Sequence, residues 1–479
     1  MTKTIYWYDY ETFGRDPRRD RAAQFAGVRT DGHLAIIGDP LVLYCKPAAD
    51  FLPDPGACLI TGITPQLALE KGVSEADFIK QIHREFSEPG TCVAGYNSIR
   101  FDDELTRQLL YRNFYDPYER EWKYGNSRWD IIDMLRLCAA TRPEGIEWPR
   151  DELDSVSFRL DQISVANGIE HSAAHDALAD VIATIEIAKR VRQAQPKLYD
   201  YVYQLRDKQR VLSEIDLQTR KPLLYVSMMY PARLGCLALV MPICMHPNNP
   251  NGVIVLDLRD DPSGWLGLSS EQLRERIYTP QAAMADGVRR VPLKILHINK
   301  CPIVTSPAIL TPGLAAKFEI NLDECRQHWQ ILVENPTVTS LVSAVFANES
   351  FADETEARET DPDFMIYSGG FFSESDRSLM QTVRATTPRD LGRLDLPFRD
   401  RRLATMLFRY RARNFSETLS VEELAFWREH CRQRVRDPLV LARYQSEIIE
   451  ARRTADSRGN AVLDALAAWS QDLLNFTAT

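Results

Sequence analysis

The sequence predicts an α/β domain, then a β-rich domain built as a small barrel or strongly bent sheet, then an all-helical end. Three observations predict it. Residues 1 to 196 alternate strand-like and helix-like patterns. Residues 197 to 350 carry short runs of β-forming residues broken by Pro, Asn and Gly, and beyond Phe364 the apolar spacing is helical almost to the end.

In the first domain, IYWYDYE and LAIIGDPLVLYCKP read as strands, EADFIKQIHREF as an amphipathic helix, TCVAGYN as a strand and DELTRQLLYRNF as a helix. From Ala174 to Gln195, Leu178, Val181, Ile182, Ile185 and Ala188 form a helical apolar stripe that Pro196 stops, which sets a boundary near 196. LLYVSMMY, CLALVMPICM and GVIVLDL are the strands of the second domain, with SSEQLRERIY and DECRQHWQILVEN as attached helices. FADETEARETDPD, residues 351 to 363, is acidic and nearly free of large apolar residues, so it reads as a connecting loop before the third domain, 351 to 479.

At 479 residues the chain is long enough for two or three cores, and 44% hydrophobic with 26% charged residues is the balance of a soluble globular protein. No apolar run reaches the roughly 18 residues of a spanning helix, and the first residues show no targeting pattern, so the expected location is the cytoplasm, with no membrane partner. The nine cysteines have no metal-ligand spacing and are expected to be reduced and mostly buried. A net charge of −9 argues against coating nucleic acid by bulk electrostatics but permits a local basic track beside an acidic site.

Three short segments carry the chemistry. In IYWYDYETFG, strand alternation puts Ile5, Trp7, Asp9 and Glu11 on one face and Tyr6, Tyr8 and Tyr10 on the other. Two acids on a partly apolar face call for a cation or hydrogen bonds. In AGYNSIRFDDEL a strand ends, Asn97 turns the chain and Asp102 arrives at a helix start, where Asp102, Asp103 and Glu104 also suit the helix dipole. In AHDALADV, His175 stands at a helix start and Asp180 lies further in, between apolar positions.

Together these segments resemble the DEDDh exonuclease motifs: DxE on a first strand, an Asp after Nx3F, and HxAxxD opening a late helix. The resemblance makes Asp9, Glu11, Asp102 and Asp180 metal ligands and His175 the base. ITGIT at 60 to 64 is similar to the segment that lies beside the substrate's 3′ end in that superfamily. Phe13 departs from the pattern, since many relatives carry a second Thr there.

DYETFG, RFDDELTRQLLYRNFYDPY, NSRWDIID, RPEGIEWP, ANGIEHSAAHDALADV, HINKCP, YSGGFFS and LFRYRARNFSETL further resemble the bacterial exodeoxyribonuclease I family. That resemblance spans nearly the whole chain and implies an RNase H-like exonuclease domain with a mixed sheet, an SH3-like β-barrel domain and an α-helical C-terminal domain. It also implies a single-strand-specific 3′→5′ exodeoxyribonuclease that releases deoxynucleoside 5′-monophosphates by two-metal-ion hydrolysis and acts in DNA repair and recombination. The expected cofactor is Mg2+, two ions per site, with Mn2+ as a substitute. The expected partners are single-stranded DNA and the single-stranded DNA-binding protein, whose acidic tail would dock near Arg142 and Lys221; the chain itself is expected to be a monomer.

The candidate substrate contacts are Glu11, Thr12, Phe13, Arg142, Arg409 and Arg413. FRYRARNF, 408 to 415, interleaves Arg with aromatics, the mixture that grips phosphates and stacks bases. An amphipathic helix with Arg402, Arg409 and Arg413 on a solvated face and Leu403, Met406, Leu407 and Tyr410 on the other explains the run equally well.

Overall fold

The computed structural model describes residues 3–169, 176–347 and 359–478. The chain packs into two compact units. One comprises Met1–Ser127, His171–Thr184 and Ala352–Thr479, the other Arg128–Glu170 and Ile185–Phe351.

The first unit is built on four strands of a mixed sheet, β1 (Thr4–Thr12), β2 (Ala22–Thr30), β3 (Ile36–Tyr44) and β4 (Thr91–Gly95); the sheet runs β3-β2-β1-β4-β5, and β5 (Ser127–Asp130) starts at the last residue of that unit's first segment. β1 is antiparallel to β2 and parallel to β4, so it lies at the centre of the sheet and is buried along most of its length. Its alternation works as the sequence dictates: Tyr6, Tyr8 and Tyr10 enter a cluster with Phe25, Phe78 and Phe86. The ring of Tyr6 lies where a Cβ on Gly27 of β2 would sit, 2.4 Å from its nearest atom, so only glycine fits there.

The helix Glu75–Phe86 forms over the expected residues, capped by Ser74, whose side chain accepts from the Asp77 N–H. Asn97, with φ 58°, turns the chain in the left-handed region before the helix Asp102–Arg112. The stripe after His175 becomes the helix Ala177–Ala194, and Pro196 then opens a second helix, Pro196–Gln204, as its first residue.

The C-terminal helices belong to the same unit as this sheet. Leu403, Met406 and Tyr410 of the helix Arg401–Asn414 share a core with Tyr111 and Phe114, while Tyr444, Leu463 and Leu466 share one with Phe13 and Ile63. The second unit holds an antiparallel sheet of β6 (Leu223–Val226), β7 (Leu237–Met245), β8 (Gly252–Asp257), β9 (Leu293–His297) and β10 (Ile303–Thr305), ordered β10-β6-β7-β8-β9. Its three central strands are those the sequence marks. All nine cysteines are free thiols, eight of them buried.

The acidic segment before the third domain is more than a connection. Residues 351 to 358 lie outside the described residues, but Asp363 is fully buried, and Asp361 and Asp363 are bound by arginines. Asp361 and Asp363 are counter-charges of a largely buried arginine network, which local composition cannot reveal.

Candidate metal centre

β1 supplies Asp9 and Glu11 two residues apart, hence on one face. The first turn of the helix Ala177–Ala194 supplies Asp180, whose N–H donates to the Asp176 carbonyl at 3.1 Å. One carboxylate oxygen from each of Asp9, Glu11 and Asp180 lies within 4.8 Å of the other two. Asp102, 5% exposed, opens the helix Asp102–Arg112 and acts electrostatically on Asp9. The structure thus brings together Asp9, Glu11 and Asp180 and sets Asp102 where its charge acts on Asp9; His175 lies outside the described residues.

The electrostatics record the crowding. Burial, then Asp102 and Asp180, push the Asp9 carboxyl well above its ordinary range. Burial, then Asp9, Asp180 and Asp176, push Glu11 up to about 9. The three acids that open the helix Asp102–Arg112 have separate fates. Asp103 accepts from Tyr8 Oη at 2.9 Å and from Arg120 at 2.6 Å, a buried structural pair, and Glu104 accepts from Tyr367. Of the three, Asp102 is the one whose charge helps to raise Asp9.

An all-oxygen donor set of clustered, partly desolvated carboxylates fits a hard divalent cation, since the positive charge removes the repulsion that otherwise holds protons on the site. Metal binding must therefore displace protons. With the metal-free Glu11 carboxyl pushed up to about 9, apparent Mg2+ affinity should rise as pH increases toward about 9 and fall as it decreases. Calorimetric titrations in buffers of different ionisation enthalpy should register at least one proton released per site at pH 7; affinity independent of pH, with no release, contradicts this.

The remaining expected contacts fare differently. Thr12 is buried and donates its hydroxyl to the Gly14 carbonyl at 2.6 Å, bracing the turn after β1. Phe13 is 1% exposed and packs against Phe51 at 5.8 Å between ring centroids, a core position with no face left for a base. Arg142, exposed, caps the helix Ile132–Thr141 and donates to the Thr141 carbonyl at 2.7 Å.

Arg409 and Arg413 are not a solvated basic face. Arg413, its side chain 2% exposed, binds Asp50 at 2.9 Å and also Asp363; Arg409 binds Asp363 at 2.9 Å and also Asp361. Burial alone would raise Asp50 and Asp363, but the arginines hold Asp50 well below the carboxylate range and Asp363 at about 2. Both guanidinium groups are paired with protein carboxylates, which corrects the solvated basic face. Sequence reading also passed over Gln24 of β2 and Asp176, both beside Glu11; the signal was a lone Gln among small and apolar residues in AAQFAGV.

Comparison with known proteins agrees along the whole length. Family models described as Exonuclease, Exonuclease I SH3-like domain and Exonuclease I C-terminal domain match residues 6–188, 206–348 and 360–473. Exodeoxyribonuclease I of Escherichia coli K12 is 47% identical over 474 residues, 98% of each chain. The chain belongs to the exodeoxyribonuclease I family. Among solved structures, Escherichia coli exonuclease I in complex with a dA16 oligonucleotide is 47% identical, with a TM-score of 0.94 over 98% of this chain and 100% of that one. A zinc-bound form of the same exonuclease I with single-stranded DNA superposes with a TM-score of 0.92 at 47% identity, over 98% of this chain and 100% of the other. For an exodeoxyribonuclease I, the mixed sheet, the antiparallel sheet of the second unit and the helical C-terminal segment correspond to its three matched segments in order.

Proposed function

We propose that this chain degrades single-stranded DNA from its 3′ end, releasing deoxynucleoside 5′-monophosphates with two bound Mg2+ ions. The observation that carries the reading is the convergence of Asp9, Glu11 and Asp180, with Asp102 acting on Asp9. Metal ions supply an activated water and neutralise charge on the phosphate and the departing 3′-oxygen. Asp9, Glu11, Asp102 and Asp180 would hold the ions. His175, with a reference pKa near 6.5, is suited to take the proton of the attacking water.

The relatives' complexes with oligonucleotides support the substrate class. The same reading assigns the protein to DNA repair and recombination in the cytoplasm, as a monomer. Its partner is the single-stranded DNA-binding protein, with the exposed Arg142 and Lys221 as candidate contacts for an acidic tail.

Labelled single strands test the core of it. With Mg2+, a 3′-labelled strand should lose its label at once as mononucleotide, while a 5′-labelled strand shortens stepwise; chelation should stop both, and matched RNA and intact duplex should resist. Early release of the 5′ label, or cleavage without a divalent ion, overturns the reading.

A further inference from the structure

We propose that Gln24 is the positioning residue that fixes the start of the Asp180 helix against β1, holding Asp180 at the distance from Asp9 and Glu11 that a metal ion requires. The proposal rests on reading those three carboxylates as metal-holding groups. Gln24 is the direct cross-strand partner of Glu11, so the two side chains share one face of the sheet. It is 2% exposed, a buried amide whose hydrogen-bonding groups need partners.

It finds them on the helix. Nε2 donates to Asp176 Oδ1 at 3.1 Å, and Oε1 accepts from the Ala177 N–H at 3.4 Å. Because one partner is a carboxylate and the other an N–H, only one orientation of the amide satisfies both. The Ala177 N–H is among the first donors of the helix, which have no partner within it. The Gln24 side chain therefore pins the helix start from outside. The Asp176 carbonyl in turn accepts from Asp180 N, so the pinned residue and the ligand are joined by one turn of backbone. The amide also occupies Asp176, a carboxylate near enough to act on Glu11, as a hydrogen-bond acceptor.

A charge swap tests this. Gln24→Glu keeps the acceptor for Ala177 but sets a carboxylate against Asp176. Gln24→Glu combined with Asp176→Asn restores the bond with its polarity reversed, at unchanged total charge. Calorimetric Mn2+ and Mg2+ titrations should show affinity about 10–100-fold weaker in Gln24→Glu, the range of effects when a group orienting a metal ligand is lost. The double variant should recover to within a few-fold, and KM for single-stranded DNA should stay unchanged throughout. Gln24→Met, which loses both bonds without adding charge, gives the same direction of change should the glutamate variant fold poorly.

Unchanged metal affinity in folded Gln24→Glu and Gln24→Met, or a double variant no better than Gln24→Glu, overturns the proposal. Asp180→Asn serves as the reference. If it binds metal like the parent, the carboxylate reading itself fails; if it loses metal while the Gln24 variants keep it, the positioning role alone fails.

Discussion

Asp180→Asn should reduce metal-dependent cleavage to background while leaving the protein folded and able to bind single-stranded DNA. The substitution keeps the shape of the side chain and removes one charge and one anionic ligand from a site where three carboxylates converge. Its effect on stability has the opposite sign to its effect on activity. Asp9 and Glu11 have pKa values raised in the folded state, so each weakens the metal-free fold increasingly as pH rises above its unfolded value near 4, up to about 9 for Glu11. Asp180 contributes to both shifts, and its neutralisation should raise metal-free stability at pH 8 by on the order of 1 kcal/mol. Metal-dependent stabilisation should disappear together with activity. At Mg2+ about 100-fold above its Kd the parent should gain about 2.7 kcal/mol, and the variant none. Thermal melts with and without Mg2+ provide the check, and a variant still stabilised by Mg2+ places the ion elsewhere.

Arg413→Met should cost about 3–5 kcal/mol of stability at neutral pH, the scale for breaking a buried ion pair by removing one partner. Asp50 and Asp363 are both completely buried, and Arg413 is the residue that binds both. In the parent their depressed pKa values mean that the stability they contribute is present above the unfolded value near 4. It is lost as pH falls through the folded value, about 2 for Asp363. Without the arginine those acids are desolvated with less compensation, their folded pKa values rise, and the penalty applies above pH 4 instead. The deficit should therefore shrink between pH 7 and pH 5, where the buried acids can take up protons. Denaturant melts across that range test it; a deficit under about 1 kcal/mol shows that the network is not stabilised through this residue, and a larger but constant one shows that Asp50 and Asp363 keep their low pKa values without it.

What the sequence could and could not reveal follows from the range of the interactions. Strand alternation in IYWYDYE and the capped stripe of Glu75–Phe86 are local, and the structure reproduces both. Asp9, Glu11 and Asp180 were legible because a short spacing motif encodes which side chains can meet, and the fold brings them within 4.8 Å. β2 was illegible. AAQFAGVRT is rich in Ala and Gly and poor in β-branched residues, and it is a strand because β1 and β3 pair with both its edges. The arginines of FRYRARNF were assigned to solvent or substrate because their partners are far away in sequence, at Asp50, Asp361 and Asp363. A charge pattern identifies a cation and says nothing about which anion it will meet. The surroundings of Phe13 were equally out of reach, since it shares a core with Tyr444 and Leu463 from the far end of the sequence.

The membership of the first compact unit bears on how the protein is made. Arg21, Asp50 and Glu75 are translated early, yet Arg413, which both Asp50 and Glu75 feel, leaves the ribosome only near the end. At about 5–20 residues per second, the central sheet must wait on the order of tens of seconds for the helices that complete its charge balance and cover Phe13. Nascent chains halted before residue 409 should thus expose a sheet with unsettled buried acids, a natural client for chaperones.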